Sequence, residues 1–223
     1  MQLATSPIPQ WKAVGAKVRE REGAEVTRPS LALSHLRTLA LSSLRLFLAA
    51  PLTDGPRAAI RAGLGAALPA GVPGRAVPPD SWHLTLRFLG ETAPERAARV
   101  ADALRAVDLG ARFEIEFAGL GAFPRASRAA VLWVGIGAGA AELGALAAKV
   151  EEAARRAGFP AEQRPFSAHL TISRIRPPEN VTPVLDRWTA PPIAMPVDEV
   201  VLYRSHLGGG PARYEAVDRF PLG

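Results

Sequence analysis

The chain has 223 residues, a formal net charge of +6 and no cysteine; that length fits one large domain or two small ones, with ample material for a buried core. The missing cysteine excludes disulfides, Cys-ligated zinc, iron–sulfur clusters and thiol catalysis, and with four histidines any metal site is limited to His/carboxylate types. The positive charge points toward polyanions such as nucleic acid without identifying one.

Residues 1–43 mix charges with Pro7, Pro9 and Pro29 and show little alternation. They read as a poorly ordered N-terminal extension, with one short helix expected over 31–44. The chain contains no apolar run of about 18 residues. The N-terminus also lacks the continuous apolar stretch of a signal peptide. A cytoplasmic location is therefore expected.

From residue 44 the pattern becomes regular. A strand is expected over 44–50, followed by a helix over 54–68 with Asp54 as its cap. A Pro/Gly-rich loop covers 69–79. The alternating stretch 82–89 reads as a strand. Pro94 opens a helix to 107, at a first turn where proline is tolerated. Residues 112–117 alternate cleanly, with Arg112, Glu114 and Glu116 on one face. A strand over 129–136 precedes a helix over 140–157 that ends at Gly158. Strands over 166–175, 197–205 and 214–220 complete the pattern, with a short helix at 182–188. Strands alternating with helices in two similar halves indicate an α+β domain with two related lobes over 44–223.

One tetrapeptide occurs twice: His83-Leu84-Thr85-Leu86 and His169-Leu170-Thr171-Ile172, 86 residues apart. Each copy lies in an expected strand, at a corresponding place in its half. Side chains alternate along a strand, so His83 and Thr85 share one face, as do His169 and Thr171. A single histidine beside a threonine in a strand is ordinarily structural; the repetition in matching places is what points to chemistry. Two imidazoles can act as general acid and general base on opposite sides of a phosphorus. Two threonine hydroxyls can hydrogen-bond the non-bridging oxygens where charge develops. Two histidines without a carboxylate partner make a poor metal site, so no metal and no cofactor are expected. His35, in the irregular region, and His206, at a strand end, are read as surface residues without a role.

These motifs resemble the 2H phosphoesterase superfamily, which is defined by two His-x-Thr-x motifs. The nearer likeness is to the RNA 2′,3′-cyclic phosphodiesterase family, also called LigT or ThpR and historically 2′-5′ RNA ligase. It rests on Arg45-Leu46-Phe47, on Trp82 to Glu91, on Gly119 to Arg125 and on Val131-Leu132-Trp133. It continues through Arg164 to Arg174, Val201 to Ser205 and Tyr214 to Leu222. The resemblance covers about 44–223; family members begin close to the first strand, so residues 1–43 stand outside it.

The resemblance implies a bilobal α+β fold, with two pseudo-symmetric lobes around a central cleft, each built from an antiparallel sheet and helices. It implies hydrolysis of RNA 2′,3′-cyclic phosphate ends to 2′-phosphomonoesters by a monomer, with 2′-5′ ligation as a related activity. His83 is then the proton donor to the leaving 3′ oxygen and His169 the proton acceptor from water. Thr85 and Thr171 hold the phosphate oxygens. Chemistry alone does not decide which histidine is the acid. Arg174 resembles a phosphate-contacting arginine after the second motif, although strict alternation puts it opposite His169 unless a bulge intervenes. Phe47 is a candidate for the nucleoside pocket and equally a core aromatic. Arg87 is expected on the His83 face. Two other readings stand beside this one: a non-catalytic RNA-end binding module, suggested by the charge, and the same chemistry on another small cyclic or 2′-5′ linked nucleotide.

Overall fold

The computed structural model describes residues 43–188, 190–206 and 212–223. The expected extension, its helix and His35 lie outside the described residues. β1 (Leu44–Pro51) is almost entirely buried, and such a strand can only sit inside a sheet. It lies between β3 (His83–Thr92) and β8 (Glu199–His206), and β9 (Arg213–Pro221) completes the first sheet in the order β3-β1-β8-β9. The second sheet contains β2 (Arg75–Ala76), β4 (Phe113–Phe123), β5 (Ala129–Ile136), β6 (His169–Glu179) and β7 (Ile193–Val197), in the order β2-β6-β5-β4-β7. All described pairings are antiparallel.

Among the described residues four α-helices flank these sheets: α1 (Asp54–Ala67), α2 (Pro94–Ala106), α3 (Ala140–Arg156) and the single turn α4 (Thr182–Leu185). α2 buries Ala97, Val100, Ala101 and Leu104, and α3 buries Leu143, Leu146, Ala147 and Val150, the stripe that a 3.6-residue repeat places on one side. The α+β, two-sheet architecture is the one the sequence implied. The lobes, however, are not the two halves of the chain.

Two crossings tie them together. α1 follows β1 of the first sheet and packs against β7 of the second, and the chain then passes through β2 of the second sheet before it returns to the first at β3. α3 connects β5 to β6, both in the second sheet, yet it packs against β3 of the first and against α2, with a smaller contact to β4. The chain also changes sheets at Asp198. The single strand expected over 197–205 is broken there into β7 and β8, and the Asp198 carbonyl accepts a bond from Leu222 N–H at 2.8 Å.

Other boundaries moved for local reasons. The strand expected over 112–117 runs on to Phe123, because its second half pairs with β5 beyond the point where clean alternation ends. β6 starts at His169 rather than at 166, since its β5 pairing begins at the His169–Gly135 pair. Asp54 is not the cap of α1. Thr53 is the N-cap, and Asp54 sits in the first turn, 2.5 Å from Arg57. Gly158 does terminate α3: at φ +86° it takes the left-handed conformation that glycine adopts without penalty, and its N–H bonds to the Arg155 carbonyl.

Candidate active site

The two motif strands carry the same irregularity. In β3, Thr85 pairs with Ala49 and Arg87 with Leu48, which leaves Leu86 as an extra residue. In β6, Thr171 pairs with Trp133 and Ser173 with Leu132, which leaves Ile172 as the extra residue. Each bulge falls on the fourth residue of the tetrapeptide. One inserted residue reverses the facing of everything after it. Beyond each bulge, residues that simple alternation puts on the histidine face turn to the back, and their neighbours turn forward.

Arg174 is therefore on the same face as His169, as its expected phosphate role requires. Its positive charge reaches both imidazoles and lowers both pKa values. Arg87 behaves oppositely and corrects the expectation. It points to the back of β3, where its side chain is 9% exposed and paired with Glu151 of α3 at 2.6 Å and with Glu162 at 3.2 Å. It also donates to the carbonyls of Phe88 at 2.9 Å and Pro160 at 2.6 Å. Ser173, its counterpart 86 residues on, is fully buried and donates its hydroxyl to the carbonyls of Pro73 and Arg75. Each bulge thus turns one residue backward to grip the loop that leads to the opposite motif. The Pro160–Glu162 segment leads to His169, and the Pro73–Arg75 segment leads to His83. The short strand β2 adds to the second grip by pairing Arg75 with Arg174 and Ala76 with Ser173.

The two histidines are held alike. Nδ1 of His83 lies 2.9 Å from the Ser81 carbonyl, and Nδ1 of His169 lies 2.7 Å from the Ser167 carbonyl. A carbonyl only accepts, so Nδ1 carries the proton in both rings, and the neutral imidazole presents the lone pair of Nε2. Burial pushes the His83 pKa down to about 4; the Ser81 bond opposes this, while Arg174 and His169 add to it. Burial, with Arg174 adding, also holds His169 below the usual range, again opposed by its carbonyl bond.

Aromatic rings do the burying. Phe47 lies 4.7 Å from His83, centroid to centroid, and Tyr214 stands edge-on at 5.0 Å. Tyr203 stacks on Phe47 at 5.3 Å. Around His169, Phe123 stands edge-on at 4.9 Å and Trp133 lies at 6.2 Å. Phe47 is 3% exposed and so backs His83 rather than opening to a ligand. The Trp133 indole lies flat across Gly121, where any Cβ would collide with it, and close against Gly135. Sequence reasoning placed these aromatics in the family segments but gave Tyr203, Tyr214, Phe123 and Trp133 no role. Only Trp133, on β5, occupies a strand next to a motif strand; Phe123 is on β4, one strand further from β6, and Tyr203 and Tyr214 are on β8 and β9, beyond β1 from β3.

Thr85 and Thr171 are partly buried on the histidine faces of their strands. β3 and β6 are in contact with each other. His206 ends β8 and bonds Glu215 at 2.8 Å, apart from the motifs. Among the described residues no three His, Asp or Glu side chains converge to hold a metal ion, and no helix is long and apolar enough to cross a membrane. A surface cavity of about 320 Å³, lined by Thr53, Arg112, Asp198 and Glu199 among others, includes no motif residue.

The chain is similar to known proteins in sequence and in fold. A relative from Aeropyrum pernix named RNA 2′,3′-cyclic phosphodiesterase is 41% identical over 111 residues, 50% of this chain. A relative of the same name from Geobacillus stearothermophilus is 35% identical over 180 residues, 79% of this chain. The chain spans 62% and 56% of the lengths of these two relatives. The crystal structure of Escherichia coli LigT complexed with 3′-AMP superposes with a TM-score of 0.64 at 28% identity, covering 81% of this chain and 98% of that one. The family model described as the 2′-5′ RNA ligase superfamily matches residues 66–209, well over half of the sequence and both motifs, and the chain belongs to that superfamily.

Proposed function

We propose that the protein hydrolyses 2′,3′-cyclic phosphate ends of RNA to 2′-phosphomonoesters by metal-independent general acid–base catalysis. The observation that supports this most is the pair of identically held imidazoles, each presenting Nε2 beside a threonine, with Arg174 close to both. In this reading His169 Nε2 takes a proton from water as the water oxygen attacks phosphorus. The bond from phosphorus to O3′ breaks, and His83 Nε2–H delivers a proton to that oxygen. The products are a 3′-hydroxyl and a 2′-phosphomonoester. Thr85, Thr171 and Arg174 bind the non-bridging oxygens as negative charge builds there. A 5′-hydroxyl in place of water would give a 2′-5′ linkage by the same proton transfers, in keeping with the superfamily's description.

The depressed pKa values bear on the acid. In the unliganded protein His83, at about 4, is neutral at pH 7. A bound phosphate anion favours its protonated form, so the substrate itself supplies the charge that keeps the proton on Nε2. The reading also makes the protein a cytoplasmic monomer acting on RNA.

The experiment is hydrolysis of nucleoside 2′,3′-cyclic phosphates in excess chelator, with the product identified by phosphorus NMR. Turnover persists and the 2′-phosphate accumulates. His83→Ala and His169→Ala each lose at least about 100-fold, the usual scale of general acid–base catalysis. Loss of activity on chelation would exclude the metal-free mechanism. Full activity in both variants would exclude the histidine roles.

A further inference from the structure

We propose that Arg75 binds the phosphodiester one nucleotide upstream of the cyclic end, so that the site favours an RNA strand over a mononucleotide; the inference rests on the cyclic phosphodiesterase reading above. Arg75 is exposed on the two-residue strand β2. A single exposed arginine is ordinary. Its position carries the argument.

β2 is the edge strand beside β6, and Arg75 pairs across the ladder with Arg174. Cross-strand partners project from one face with Cβ atoms about 5 Å apart, and like charges so placed repel each other. Arg75 therefore stands next to Arg174, on the face that carries His169 and Thr171. Among the described residues no carboxylate forms an ion pair with either guanidinium. A phosphate is the anion whose geometry a guanidinium matches best, and its charge relieves the repulsion.

The two arginines differ in their distance from the chemistry. Arg174 is among the charges that lower both imidazole pKa values, and Arg75 is not. In the reading above the reacting phosphate already has Thr85, Thr171 and Arg174 as donors. The next negative charge of an RNA strand lies on the phosphodiester at the 5′ oxygen of the terminal nucleotide. A mononucleoside cyclic phosphate lacks it. The outer guanidinium suits this second phosphate as the inner one suits the first. The backbone under Arg75 is also fixed, since its carbonyl accepts a bond from the Ser173 hydroxyl at 3.1 Å and Val77 N–H donates to the Ile172 carbonyl at 2.9 Å. Only the side chain is left to order on binding. A phosphate contact reads no base, so the preference is independent of sequence.

The test compares the wild type, Arg75→Gln, Arg75→Lys and Arg99→Gln, a charge-matched control on an exposed position of α2. The substrates are adenosine 2′,3′-cyclic phosphate, a diadenosine dinucleotide ending in the same group, and that dinucleotide with an uncharged methylphosphonate linkage, all at low salt. The wild type prefers the charged dinucleotide in KM by about fivefold, the upper range for one exposed ion pair. The preference collapses in Arg75→Gln, returns in part in Arg75→Lys and persists in Arg99→Gln. The log–log salt dependence of KM for the charged dinucleotide flattens in Arg75→Gln by about 0.7, the share of one phosphate on a single strand. A preference kept in Arg75→Gln, including an equal loss on all substrates, overturns the assignment. So does a wild type without the preference, or one that extends it to the methylphosphonate. If the wild type turns over none of the substrates, the cyclic phosphodiesterase reading fails separately. Calorimetric binding of the two dinucleotides then applies the same comparison to Arg75.

Discussion

At the scale of single residues, the two imidazoles combine a fixed tautomer with a pKa depressed by burial. That combination ties the site to stability. His83 has a folded-state pKa of about 4 against an ordinary value of 6.5. A depressed pKa means that the folded protein prefers the neutral ring. Its contribution is fully present above about pH 6.5, where the unfolded chain is also neutral. It declines as the unfolded chain takes up a proton, and it is lost once the pH reaches about 4. Thermal unfolding followed from pH 7.5 to 4 should show this decline in the wild type and a flatter profile in His83→Gln. Identical profiles would mean that the ring is not held neutral by the fold. Arg174 links the two residues electrostatically, since its charge lowers both values.

At the scale of elements, the repeated tetrapeptide was readable because a short motif with period-2 spacing survives in the sequence. What followed each motif was not. A bulge is a property of two strands in register, and alternation within β3 or β6 alone cannot show that Leu86 or Ile172 has no partner across the ladder. Arg87 was accordingly expected on the wrong face, while Arg174 needed a bulge that the sequence could name only as a requirement. β2 was invisible for another reason: two residues inside a Pro/Gly-rich loop carry no periodicity. The glycines of the neighbouring strands have a clearer consequence. Gly121 lies under the Trp133 indole, so Gly121→Ala must displace the ring that flanks His169. An overpacked site of this kind costs about 1–3 kcal/mol. The variant should lose thermal stability and cyclic phosphodiesterase activity together, whereas Gly144→Ala, on a partly exposed turn of α3 where an added Cβ meets open space, should lose neither. Normal activity in Gly121→Ala would show that Trp133 does not position His169.

At the scale of the whole molecule, the division into lobes was legible but the assignment of elements to them was not. Alternation of strands and helices indicates two related units. It does not show that α1 packs under the second sheet, α3 against the first, or that β8 and β9 return to the first. One of these ties runs through Arg87. Removing the guanidinium leaves the partly buried Glu151 without its cation, Glu162 with Arg164 alone, and the Pro160 carbonyl without its donor. Hydrogen bonds to charged groups are each worth about 1.5–3 kcal/mol, so Arg87→Ala should lower the melting temperature by several degrees. It should also reduce activity, because the released segment leads to His169. A variant with unchanged melting temperature and activity would remove the crossed grip from the account.

That grip also sets when the site comes into being. The bond from Arg87 to Pro160 spans 73 residues of sequence, and the bond from Ser173 to Pro73 spans 100. Closing loops of this length costs chain entropy before any contact rewards it. Neither imidazole can be presented to the other by a half-built chain, so recovered activity during refolding marks the completion of the native topology rather than the arrival of either strand.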